Sequence, residues 1–192
     1  MDITQYIDLE SYSFSPGFLG YTDHGKYSET AIESVCNDFL KKMAEHINDV
    51  TVVSSLCIDC NKEEIAQDYD LDVTKIDVFL SALLKYGMVK IIDFGAIARK
   101  YPPETAEFDR EFRKLETTFT FLDTPDETTV KEILAAFFHG AGLRGHLFLV
   151  YRAEGVIVYP HTDDFGFGFI SMNKERNQEL KEELSALFAP LL

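Results

Sequence analysis

The sequence predicts an α+β chain in two halves, and three observations carry that expectation. Apolar residues recur at the i, i+3, i+4 spacing of a buried helix face in several stretches, most clearly between 32 and 47 and between 130 and 138. Between 146 and 171, β-branched and aromatic runs alternate with a glycine-bearing turn, the pattern of antiparallel strands. Tyr101-Pro102-Pro103 breaks the chain between the two patterns and marks a domain boundary, giving halves 1–100 and 101–192. At 192 residues, 46% apolar and 13% aromatic, the chain has ample material for a packed core, and the disordered class is excluded.

The elements follow in order. Residues 1–27 are irregular but aromatic, with Tyr6, Tyr12, Phe14, Phe18, Tyr21 and Tyr27, and are expected to pack across the body of the protein. Ile32, Val35, Cys36, Phe39, Leu40, Met43 and Ile47 form one stripe of a helix with Ser28 as N-cap and Asn48-Asp49 as its stop. Residues 61–92 carry helix-turn-helix spacing, with helices at 62–69 and 73–86 and a strand at 88–94. VTVVSSLCI, 50–58, has strand composition. A helix-turn-helix needs a support element in front of it, however, and the run is read as helix or turn.

In the second half, a helix starts near Thr105 and buries Phe108, Phe112 and Leu115. TTFTFL, 117–122, reads as a strand. Thr124-Pro125-Asp126-Glu127 reads as a Thr cap, a Pro in the first turn and a Glu closing a capping box. The helix it opens buries Val130, Ile133, Leu134, Phe137 and Phe138, and Gly140 ends it. HLFLVYR (146–152) and VIVYP (156–160) make a hairpin around Ala153-Glu154-Gly155, and FGFIS (167–171) adds a third strand. Asn173 caps a last helix with Leu180, Leu184, Leu187 and Phe188 facing inward.

Within 61–92, Ala66 stands where two helices would cross, and Asp70-Leu71 falls at the turn. Ile76 and Leu80 anchor the second helix, and Gly87 and Val89 lead into a strand. On these residues the stretch resembles a winged-helix module. The resemblance implies a winged-helix-like N-terminal half, and it covers about a sixth of the chain. The basic residues with which that family usually meets DNA are missing. Between Lys62 and Tyr86 the charges are Lys62, Lys75 and Lys85 against Glu63, Glu64, Asp68, Asp70, Asp72 and Asp77, with no Arg to read guanine. The C-terminal hairpin, with Asp163-Asp164-x-Gly166 and the next strand, is faintly similar to small bacterial domains among toxin-immunity proteins.

The formal net charge is −15. Such a field repels nucleic acid and anionic membranes and attracts basic protein surfaces. Direct nucleic-acid binding is therefore not expected, because phosphate contacts supply most of its affinity. The acidic N-terminus lacks a signal peptide's basic region and no apolar run is long enough to span a membrane, so a cytoplasmic protein is expected.

Cys57-Ile58-Asp59-Cys60 is the sharpest chemical motif. A redox pair is one reading, and a metal site completed by Cys36 or a distant His is another. Two structural cysteines are the reading preferred here. His161-Thr162-Asp163-Asp164 could bind a metal or act as acid and base, but it is also ordinary turn chemistry between two strands. His139 and His146 bracket Gly-Ala-Gly-Leu-Arg-Gly, which follows a helix and is read as a connector. No motif for a catalytic nucleophile, phosphate or cofactor is present. The expectation is an acidic, non-catalytic inhibitor of immunity type that blocks a basic, even a nucleic-acid-binding, partner, with Asp68, Asp70, Asp72, Asp77, Asp163 and Asp164 as its contact residues. A winged-helix DNA-binding regulator and a thiol-redox protein are the alternatives.

Overall fold

The computed structural model describes residues 2–163, 165–188 and 191–192, without the side chains of 46–48. It is an α+β structure with a six-stranded and a two-stranded sheet. The larger sheet is built from β1 (Phe18–Tyr21), β2 (Val50–Ser54), β5 (Thr120–Asp123), β6 (Leu147–Tyr151), β7 (Val156–His161) and β8 (Gly166–Ser171), in the order β1-β8-β7-β6-β2-β5. The parallel two-stranded sheet pairs β3 (Cys57–Asp59) with β4 (Lys90–Ile92). The helices are α1 (Ile32–Lys42), α2 (Lys62–Asp68), α3 (Val73–Lys85), α4 (Phe94–Lys100), α5 (Ala106–Glu116), α6 (Glu127–His139) and α7 (Asn177–Phe188). No helix among the described residues is long and apolar enough to cross a membrane.

The chain divides into two compact units, each assembled from separate segments. One comprises Met1–Val52, Asp123–Lys131 and Phe148–Leu192, and the other Val53–Leu122 and Glu132–Leu147. Tyr101-Pro102-Pro103 lies inside the second of these.

In the first unit, the hairpin β6–β7 and strand β8 form as their sequences predict, with antiparallel register from Val156↔Ser171 to His161↔Gly166. Every residue of β8 is buried, so both sheet faces are covered. On one face, Phe39 of α1 stacks on Phe167 with ring centroids 4.0 Å apart, and Phe188 of α7 sits 5.1 Å from Phe169. On the other, Tyr12 packs on Tyr159 at 4.3 Å and on Phe148 at 5.7 Å. Of the aromatic N-terminal segment, Tyr12 thus packs on the sheet within this unit, while Phe14 and Tyr27 are exposed. Tyr159 also explains Gly168: a Cβ there would stand 2.0 Å from the Tyr159 ring. Apolar stripes place Ile32, Val35, Cys36, Phe39 and Leu40 inside α1, with Met43 buried just beyond it, while the Ile47 side chain is outside the described set.

Several expectations need correction. Residues 50–58 are two strands rather than helix or turn: all five residues of β2 are buried, a setting that suits Val, Thr, Val and Val better than one helix face would. Phe18–Tyr21 is an edge strand rather than irregular chain, paired antiparallel with β8. The 117–122 run forms its strand only from Thr120. Thr124 is not the cap of α6: its φ of 46° lies in the left-handed region, and Asp126 accepts from the Thr129 N–H at 2.8 Å instead. Asn173 caps a short 3-10 turn, Lys174–Arg176, that leads into α7, and Leu187 is exposed while Leu180, Leu184 and Phe188 are buried.

Candidate functional site: an acidic and aromatic cleft

In the second unit the helix-turn-helix stretch folds as two capped helices. Asn61 caps α2 by accepting from the Glu64 N–H at 3.3 Å. Asp72 caps α3, accepting from the Thr74 N–H and hydroxyl, both at 2.8 Å. Between them Asp70 takes a positive φ of 51°, and the Leu71 N–H closes back on the Ala66 carbonyl at 2.9 Å. Ile65 and Ala66 of α2 and Ile76, Phe79, Leu80 and Leu83 of α3 are buried, as the stripes require. After α3, β4 lies parallel to β3, which the intervening helices make possible as a crossover. The chain then enters α4, so that residue 94, expected to end a strand, instead begins a helix that also carries Arg99 and Lys100.

A cleft of about 540 Å³ opens beside α2. Asp59, Glu64 and Asp68 supply its carboxylates, and Phe94, Phe108 and Phe112 its apolar wall. Phe112 is buried, with Phe94 at 5.0 Å and Phe108 at 4.6 Å between ring centroids. Thr105 sets the start of α5, and hence the register of Phe108 and Phe112, by accepting from the Phe108 N–H at 3.3 Å. Asp93 does the same for α4, accepting from Ala96 at 2.6 Å.

Among the described residues, Arg144 is the one cation on the lining. Its guanidinium lies over Phe112 at 5.3 Å and Phe94 at 5.6 Å. Its backbone exchanges two hydrogen bonds with Cys57, both 2.9 Å, as an antiparallel bridge. Gly142 and Gly145 flank it at positive φ, and a Cβ on Gly145 would meet the Ser55 carbonyl oxygen at 2.5 Å. The Gly-Ala-Gly-Leu-Arg-Gly stretch, read from sequence as a connector, therefore delivers an arginine to the cleft. A single Arg set among glycines in an acidic chain was the available signal.

The expected contact residues divide by role. Asp68 lines the cleft, and its carboxylate has no hydrogen bond or ion pair among the described residues. Asp70 shapes the turn, Asp72 is a cap, and Asp77 pairs with Lys62. Asp163 is exposed in the turn after β7, within the first unit, and Asp164 lies outside the described residues. His161 ends β7 with its ring edge-on to Tyr21 at 5.5 Å. The Phe165 N–H bonds the Thr162 carbonyl at 3.3 Å, the turn geometry the segment's composition suits.

Cys57 is a buried strand residue, and burial, then the Glu116 carboxylate, pushes its thiol up to about 11. Cys60 is exposed; local desolvation, then the Asp59 and Asp93 carboxylates, raises its thiol as well. Both are free thiols in settings that disfavour the thiolate. No group of three or more His, Cys, Asp or Glu among the described residues could hold a metal ion. His146 is half-buried, with its ring centroid 6.5 Å from that of Phe119, and desolvation lowers it to about 4. Comparison with family models, curated proteins and solved structures returned no match to this chain.

Proposed function

We propose that this chain is an acidic, non-catalytic binding protein that blocks a basic protein partner, in the manner of an inhibitor or immunity protein. The observation that supports this most is the cleft, where Asp59, Glu64 and Asp68 surround an aromatic wall. A lysine or arginine of a partner would find carboxylates there, and its aliphatic stem or an apolar neighbour would cover Phe94 and Phe108. The net charge of −15 would steer such a partner toward the chain from beyond contact distance.

The test begins with affinity capture and identification of the partner, followed by association kinetics on the purified pair. Association should slow as salt rises from low to physiological strength, because the Debye length shrinks. The double variant E64Q/D68N should weaken binding, chiefly through slower association. An association rate flat in salt, or a double variant that binds like the wild type, would overturn the reading. Duplex DNA serves as the control. Sequence-selective retention at physiological salt would put the DNA-binding regulator first.

A further inference from the structure

We infer that the cleft takes an amphoteric protein segment, with one carboxylate set on Arg144, an apolar side chain on the phenylalanine wall and a lysine or arginine toward Glu64 and Asp68. The inference rests on the cleft being the partner site proposed above, and it adds the anchor. Three carboxylates and one guanidinium line the same cavity, yet Arg144 makes no ion pair among the described residues. In a chain with almost two acids for every base, a guanidinium left without a carboxylate is a receptor held open.

Arg144 is also held in place. Its backbone is fixed to Cys57 on both hydrogen bonds, and its side chain rests on two rings, one of them buried. A guanidinium carries its N–H donors in a planar fork that matches a carboxylate, and the two rings offer that fork no carboxylate acceptor. The rest of the lining limits what the anion can belong to. Asp59 already accepts from the Asn61 N–H at 2.8 Å and Glu64 from the Asn61 side chain at 2.9 Å, whereas Asp68 is unengaged among the described residues. A polyanion such as nucleic acid would be repelled by these three. A uniformly basic segment would leave Arg144 facing like charge. A segment bearing one carboxylate beside a cation satisfies both ends, and the phenylalanines reward an apolar side chain between them.

The experiment titrates the isotope-labelled full chain with four peptides and follows its amide resonances. The probes are acetyl-Lys-Leu-Phe with a free C-terminal carboxylate, the same peptide as its C-terminal amide, acetyl-Lys-Leu-Phe-Asp-amide, and acetyl-Glu-Leu-Phe with a free carboxylate. Shifts should localise to Phe94, Ala98, Phe108 and Arg144. The amide of the first peptide should bind about fivefold more weakly than the acid, the size expected of a charge-assisted bond at a partly exposed site. Comparing the C-terminal and aspartate versions decides which carboxylate is taken. R144Q should erase the difference between acid and amide, and R144K should restore only part of it, since an ammonium lacks the fork. Equal binding of acid and amide, or a preference that survives R144Q, would overturn the anchor. If E64Q/D68N still weakens both peptides in that case, the basic-partner cleft stands without the anchor. If no peptide binds at millimolar concentration, the anchor falls. If E64Q/D68N also leaves binding of the captured partner unchanged, the cleft falls with it.

Discussion

Asp72 accepts from both the backbone and the hydroxyl of Thr74, which holds its carboxyl below the usual carboxylate range. An acid that reads as a contact residue is thus committed to starting a helix. Replacing it with Ala should lower the melting temperature by about 2–4 °C, the usual cost of a lost cap in a chain of this size, while Asn should retain most of the stability. Calorimetry on the two variants checks this, and partner binding should not change in either. The cysteines give a second residue-level expectation. Cys60 is exposed, whereas Cys36 and Cys57 are buried and burial pushes their thiols up to about 12 and about 11. In the native state a maleimide should label one thiol, at Cys60, and all three only after unfolding. Rapid labelling of Cys57 at neutral pH would revive the redox reading.

At the scale of elements, the loop between α6 and β6 carries the most consequence for the least sequence. Gly145 sits at φ 88° with the Ser55 carbonyl oxygen where a Cβ would be. G145A therefore meets both a left-handed backbone penalty and a collision with backbone that cannot swing aside. It should cost about 2 kcal/mol or more in chemical denaturation. G155A provides the comparison: its φ of 71° is similar, but nothing lies within 4 Å, so only the backbone penalty applies. Because Gly145 neighbours the Arg144–Cys57 bridge, G145A should also weaken the acid peptide more than the amide. Each of α2, α3, α4 and α5 has a side-chain cap; the starts of α2, α3 and α5 were legible, whereas α4 was not, because residues 88–94 read as a strand.

At the scale of the whole molecule, pH acts through a half-buried base. Burial lowers His146 to about 4, below its ordinary value near 6.5. The unfolded chain then binds the proton more readily than the folded one. Stability is therefore full above about pH 6.5 and is lost progressively as pH falls toward 4. For a ring that keeps some exposure, the loss should be about 1–2 kcal/mol. Urea titrations across that window should show the slope, and H146Q should flatten it, because the hydrogen bonds between 146 and Ser55 use only the backbone atoms of His146.

By itself, the sequence determined whatever is decided within a few residues. Helix stripes such as Ile32 to Met43, the hairpin around Gly155, the helix start near Thr105 and the acidic balance are all local, and all were legible. Only the tertiary structure decided what depends on distant neighbours. Val50–Ser54 became a strand because a place inside a sheet buries all five of its residues, and local context cannot reveal that place. Asp72 and Asp77 were absorbed by a cap and an ion pair, and Asp68 was left to the cleft, although all three are equivalent as exposed acids in sequence. Arg144 gained its significance from Cys57, Phe94 and Phe112, residues brought to it by three separate elements. Periodicity reports which face of an element is buried, but not what that face meets, and a binding site is made of those meetings.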